Sequence, residues 1–175
     1  MQTQVPTTID TAIAGLQLRL ATVADVPQIL QFIQALADYE KLADQVVATE
    51  QKLQQTLFGD KAFAEVVLAE FQGQPAGFAL FFHNYSTFLA KPGIYLEDLF
   101  VDPALRGKGI GKALITYLAT LAVARDCGRL EWSVLDWNQP AIDFYQSLGA
   151  VMLHDWRINR VTGETLQQMA AQFPA

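Results

Sequence analysis

Apolar residues recur along this chain in two rhythms, one alternating and one of helical period, and the rhythm changes at turn residues. Leu16, Leu18 and Leu20 alternate with polar neighbours, which predicts a first strand. Thr22 and Asp25 suit a helix start and Pro27 its first turn, with Ile29, Leu30, Ile33, Leu36 and Ala37 on one face before Tyr39 and Glu40. A second, short helix is predicted over residues 49–58, opened by Thr49 and closed by Gly59. Residues 62–70 and 75–84 read as strands joined by a hairpin at Gln72-Gly73, and residues 95–101 as a fourth strand. Beyond Asp102-Pro103 and a glycine-rich turn, Ile110, Leu114, Tyr117, Leu118, Leu121 and Ala122 share a helical face, with Arg125 suited to its negative end and Gly128 to its stop. Residues 130–135 predict a fifth strand, and Pro140 opens a helix carrying Ile142, Phe144, Tyr145 and Leu148 that Gly149 ends. Residues 151–153 and 156–161 predict two last strands, and Thr162 caps a final helix. Residues 1–15 show no sustained period and are expected to be a flexible tail, leaving residues 16–175 as one α/β domain built on a mixed sheet.

The turn between the fourth strand and the long helix, RGKGIGK, is where chemistry concentrates. The first N–H groups of a helix lack intrahelical acceptors and the macrodipole adds positive potential, so a glycine-rich helix start suits an anion. Gly107, Gly109 and Gly111 let backbone approach such a group, and Arg106, Lys108 and Lys112 add charge. A Walker A loop needs glycine first and Ser or Thr after the lysine, whereas the window over residues 106–113 begins with Arg and ends with Ala. A dinucleotide fingerprint needs G-x-G-x-x-G, whereas these glycines are spaced G-x-G-x-G with no acidic residue ending a second parallel strand.

Bulk properties narrow the field. At 175 residues, half of them apolar, the chain is long enough for one real core. Cys127 is the single cysteine, and His83 and His154 stand in no metal-ligand pattern, so no metal is expected. The start has no secretory pattern and the uncharged helical stretch 113–124 is shorter than the ~20 residues a bilayer needs, so no membrane partner and a cytoplasmic location are expected. A net charge of −6 argues against a nucleic-acid partner and suits a cationic small molecule. Trp132, Trp137 and Trp156 are assigned to core or interface.

Read as R-x-x-G-x-G from Arg106 through Gly109 to Gly111, the turn resembles that of the GCN5-related N-acetyltransferase (GNAT) superfamily. A second segment agrees: Asn138, Ala141, Phe144 and Tyr145 match that family's Asn-x-x-Ala/Ser-x-x-Phe-Tyr pattern, against a bland reading of a capping Asn and a core aromatic pair. The predicted element order also matches the family, which implies a mostly antiparallel sheet of about seven strands flanked by helices. The strings LADYEKLADQVVATE, YLEDLFV, RGKGIG and DWNQPAIDFY are similar to the spermidine/spermine N-acetyltransferase branch, which also includes thialysine acetyltransferases. Gln146, Ser147 and Leu148 depart from it, standing where that branch often carries basic residues.

The resemblance implies acetyl-coenzyme A as cosubstrate, with its pyrophosphate on Arg106, Gly107, Lys108, Gly109, Ile110, Gly111 and Lys112. It also implies the pantetheine arm along the backbone of Leu99, Phe100 and Val101, with Asn138 beside the coenzyme and Tyr145 beside its sulfur. Tyr39 and Glu40 would line an amine pocket, Glu97 and Asp98 would attract an ammonium group, and the protein would be a homodimer. Chemistry adds roles, because an alkyl ammonium of pKa ~10.4 must lose a proton before it attacks a thioester. Glu97 is the candidate base, directly or through a water, and Tyr145 the candidate acid for the departing thiolate. The expected reaction is acetyl transfer to a primary amine of a polyamine or diamine. Its alternatives are a lysine-like amino acid or protein lysine as acceptor, or a non-catalytic coenzyme sensor.

Overall fold

A computed structural model describes residues 8–174, and the chain divides into two compact units, Met1–Ser133 and Val134–Ala175. The first unit carries a six-stranded sheet whose spatial order follows the chain: β1 (Thr8–Asp10), β2 (Leu16–Leu20), β3 (Glu65–Phe71), β4 (Gln74–Ser86), β5 (Lys91–Val101) and β6 (Leu130–Trp132). Every neighbouring pair is antiparallel except β5 and β6. That parallel pair needs a long crossover, which α3 (Ile110–Ala124) supplies.

Two helices precede β3: α1 (Val26–Tyr39), with proline in its first turn, and α2 (Glu50–Phe58). Thr49 caps α2 by accepting a hydrogen bond from the Lys52 N–H, as its position before an amphipathic run predicts. Val26, Ile29 and Phe32 of α1 and Leu53 and Leu57 of α2 bury against Val66, Leu68, Phe78 and Phe100 of the sheet. Phe32 stacks on Phe78 with ring centroids 5.5 Å apart and lies 5.8 Å from Phe100, so its truncation to Ala is worth about 3–5 kcal/mol of stability. α3 packs on β3, β4 and β5, with Ile110, Leu114, Ile115, Leu118 and Ala122 buried as the helical spacing requires. At the end of α3, Arg125 donates two hydrogen bonds to the Glu65 carboxylate, at 2.6 and 2.8 Å, and so ties the helix to β3.

The second unit contains, among the described residues, α4 (Gln139–Ser147) and α5 (Gly163–Ala170) and no strand. The strands expected at residues 151–153 and 156–161 are therefore corrected, and the sheet has six strands rather than seven. Val151, Leu153, Trp156, Ile158 and Val161 are exposed there. Apolar alternation supplies side chains for a face, but a strand also needs an edge to pair with, and that is not encoded locally. The opposite correction applies at the start, where Thr8–Asp10, expected to lie in a tail, pairs with residues 17–19 as β1. Gly15 turns the hairpin at φ +78° and the Thr11 hydroxyl bonds the Leu16 carbonyl at 2.8 Å, so three strand residues suffice. The remainder of that stretch, residues 1–7, lies outside the described residues.

Candidate active site

The site grows from a single run of chain, β5 and the turn after it. β5 pairs with β4 along its whole length, but the register slips between Leu80 and Phe81: Asp98 stands opposite Leu80, Leu96 opposite Phe81, and Glu97 opposite no residue. This β-bulge breaks the strict alternation that would send Glu97 and Asp98 to opposite faces. It leaves Glu97 exposed and Asp98 half-buried. On its other side β5 pairs with β6 only at Ile94, Tyr95 and Leu96. Residues 97–101 thus have a strand neighbour on one side only, which leaves an edge for an extended ligand to join. Leu99 and Val101 are half-buried, while the Phe100 side chain is committed to the core, so only its backbone can serve that edge.

Asp102 closes the strand by accepting a hydrogen bond from the Ala104 N–H at 2.8 Å, and a 3-10 turn over Pro103–Leu105 leads into the glycine loop. Gly107 and Gly109 take the left-handed conformation, at φ +78° and +84°, and Gly109 is the N-cap of α3. Ile110, at the first helical position, buries its side chain and offers only its backbone. Arg106, Lys108 and Lys112 are exposed around these N–H groups. The Arg106 guanidinium lies 4.4 Å over the Tyr39 ring, its Nε donating to the Val101 carbonyl at 3.2 Å, and Lys108 Nζ lies 5.5 Å from the Phe71 ring centroid. A fifteen-residue helix with its dipole behind a glycine-lined turn of three cations fits a pyrophosphate.

The acidic side has the opposite electrostatics. Burial, then the charges of Glu97 and Glu40, push the Asp98 carboxyl up to about 6. Burial also pushes up the Glu40 carboxyl, which follows Tyr39 at the end of α1. Residues distant in sequence converge here: Glu40 acts on Asp98, both expected at the amine site, whereas Tyr39, expected beside them, meets Arg106 of the glycine turn. A half-buried carboxylate among like charges is stabilised by an incoming cation.

Asn138 and Tyr145 belong to the second unit. Asn138 is buried and caps α4, its Oδ1 accepting from the Ala141 N–H at 3.3 Å, and the Phe144 and Tyr145 ring centroids are 5.2 Å apart. The capping role and the aromatic pair both exist, as the bland reading of that segment holds. Residues that sequence reasoning missed sit beside the loop. A Cβ on Gly109 would come within 2.9 Å of Ile13 Cδ1, so the β1–β2 hairpin abuts the glycine turn. The signal for it was short: an Ile in a Thr- and Gly-bounded turn before an alternating strand. Among the described residues no group of His, Cys, Asp and Glu could hold a metal ion, and no helix is long and apolar enough to cross a membrane.

Comparison with known proteins agrees with this geometry. Residues 31–150 match the Acetyltransferase (GNAT) family. The chain is 37% identical to L-ornithine N5-acetyltransferase NATA1 of Arabidopsis thaliana, over 86% of this chain and 86% of that protein. It is 37% identical to the thialysine N-epsilon-acetyltransferase of Bos taurus, over 91% of this chain and 99% of that protein. It is 33% identical to spermidine/spermine N(1)-acetyltransferase-like protein 1 of Homo sapiens, over 88% of this chain and 24% of that longer protein. A strand left open beside a bulge, a helix begun on paired left-handed glycines and a family match spanning both have one common explanation: the chain belongs to the GNAT acetyltransferase family.

Proposed function

We propose that this enzyme transfers the acetyl group of acetyl-coenzyme A to a primary amine of a small substrate carrying more than one positive charge. The observation that carries the substrate class is the trio Glu40, Glu97 and Asp98, with Asp98 raised to about 6 by burial and by the other two. Such a cluster favours a small polycation over a neutral acceptor. Polyamines and diamines share this chemistry with ornithine-like and thialysine-like amino acids, and the named relatives support the second group as well as the first.

The donor supplies a thioester carbonyl. Backbone N–H groups from Gly107 to Lys112 and the side chain of Arg106 would hold its phosphates, Leu99 and Val101 would bond its arm along the open edge, and Asn138 would flank it. Glu97 takes the proton from the ammonium, directly or through a water, freeing the nitrogen lone pair for the carbonyl carbon. Asp98, Glu40 and Tyr39 hold the second charge and orient the amine. Attack leaves a second, now acidic proton on nitrogen, which passes to solvent as the tetrahedral adduct collapses; Tyr145 gives its phenolic proton to sulfur as the C–S bond breaks and recovers one from solvent. The Tyr145 assignment rests on its place in the motif with Asn138, Ala141 and Phe144. A cytoplasmic location is consistent with a donor held inside cells. The exposed apolar residues Trp156, Ile158, Leu166, Met169 and Phe173 of the second unit suit a second copy of the chain, a dimer that light scattering measures directly.

The test is thiol release from acetyl-coenzyme A against spermidine, putrescine, ornithine, lysine, thialysine and a lysine peptide. Turnover with the diamines or polyamines and not with the peptide supports the reading. Preference for ornithine or thialysine moves the assignment to amino-acid side chains. Coenzyme binding with no thiol released for any amine replaces the enzyme by a sensor.

A further inference from the structure

Among the described residues Arg106 makes two contacts, and neither is to an acid. Its guanidinium lies 4.4 Å over the Tyr39 ring, and its Nε donates to the Val101 carbonyl at 3.2 Å. Among the described residues no carboxylate forms an ion pair with it, although Glu40 is the next residue after Tyr39. The arrangement has a physical consequence. A cation held over a ring keeps its charge, and among the described residues the Arg106 Nη groups donate to no acceptor, which leaves them for a phosphate held bidentately. An ion pair with Glu40 would instead neutralise the charge and occupy those donors. A long side chain on an exposed glycine loop also loses much rotamer freedom when a ligand immobilises it, and a ring that has already ordered it reduces that loss.

From this we infer that Tyr39 is a positioning residue for coenzyme binding: it holds Arg106 over its ring so that the charged guanidinium, with its Nη donors unspent, is presented to the phosphates. The inference rests on the reading of the loop as a coenzyme site and goes beyond it, since the family resemblance implies the amine pocket for Tyr39. It makes the end of α1 common to both substrates, Tyr39 acting on the coenzyme through Arg106 and Glu40 acting on the amine alongside Asp98.

The test is a titration of the full chain with coenzyme A, in the absence of any amine, read by calorimetry. The chains compared are wild type, Tyr39→Phe, Tyr39→Leu, Arg106→Gln and the double variant Tyr39→Leu/Arg106→Gln, with melting temperatures recorded for each. Tyr39→Leu is expected to raise the coenzyme Kd about 3- to 10-fold, and Tyr39→Phe, which keeps the ring, to stay within about twofold of wild type. In the Arg106→Gln background the Leu substitution is expected to add nothing. If Tyr39→Leu does not fold, Tyr39→Met makes the same cut with a flexible side chain. An unchanged Kd in Tyr39→Leu, or an equal loss with and without Arg106, overturns the inference and leaves the loop assignment standing. No binding of coenzyme A to the wild-type chain overturns the loop assignment itself, and the inference with it.

Discussion

The acidic bulge at Glu97-Asp98 and the basic turn from Arg106 to Lys112 lie in one continuous run of chain, yet they are made by different means. The turn is local. Its glycines take left-handed angles, its cations are exposed, and α3 behind it supplies the dipole. The bulge is tertiary. Its register exists only against β4, and the raised carboxyl of Asp98 depends on burial and on Glu40 at the end of α1. One segment gathers positive charge at the surface, the other half-buries a carboxylate among like charges. Substitutions on the two sides are therefore expected to carry opposite signatures.

The largest effect is expected from the acid side. Glu97→Gln keeps shape and removes the proton acceptor, so kcat/KM for the amine is expected to fall about 100-fold or more with coenzyme Kd within twofold. Its mirror is Arg106→Gln, with coenzyme Kd raised about tenfold and kcat at saturating coenzyme and amine little changed. Steady-state kinetics with parallel calorimetry separates the two patterns. Should both variants lose coenzyme affinity alike, the division between an amine end and a phosphate end of this run is wrong.

Asp98 sharpens the contrast through pH. Its carboxyl titrates near 6 in the fold and near 3.8 in the unfolded chain, so the folded state holds its proton more tightly. Stability is therefore lost as pH rises from about 4 to 6, and the loss is complete above 6. Asp98→Asn is expected to stabilise the protein by about 2 kcal/mol at pH 8 and by nothing measurable at pH 4. Urea unfolding at both pH values reads this out. The wild-type amine KM should rise as pH falls below about 6, because protonated Asp98 no longer attracts a cation.

The same division governs what could be read from the chain. Thr49 before an amphipathic run, Pro140 after Asn138, and glycines ahead of Ile110 are local signals, and α2, α4 and α3 begin where they indicate. The glycine turn itself was legible for the same reason. The bulge was not, because register belongs to a pair of strands, and YLEDLFV alternates as well without a slip as with one. The contact of Arg106 with Tyr39 joins points of the chain separated by one helix and three strands, and no spacing rule predicts it. Residues 151–153 and 156–161 failed in the other direction: they are rich in apolar residues, but among the described residues the second unit offers no strand to pair with.

The smallest effect probes how far the local picture of the turn suffices. Gly107 and Gly109 both have positive φ, so alanine at either is expected to destabilise by about 1 kcal/mol through the backbone alone. A Cβ on Gly107 meets nothing within 4 Å, whereas one on Gly109 comes within 2.9 Å of Ile13 Cδ1. That atom is the far end of a flexible side chain in the β1–β2 hairpin, which can move but must leave its place to do so. Gly109→Ala is therefore expected to exceed Gly107→Ala by about 0.5 kcal/mol, and Ile13→Ala to remove that excess in the double variant. Urea titrations of the four variants decide it. Equal losses at the two glycines would mean that the hairpin does not press on the turn, and that the basic end of this run is as local as its sequence makes it look.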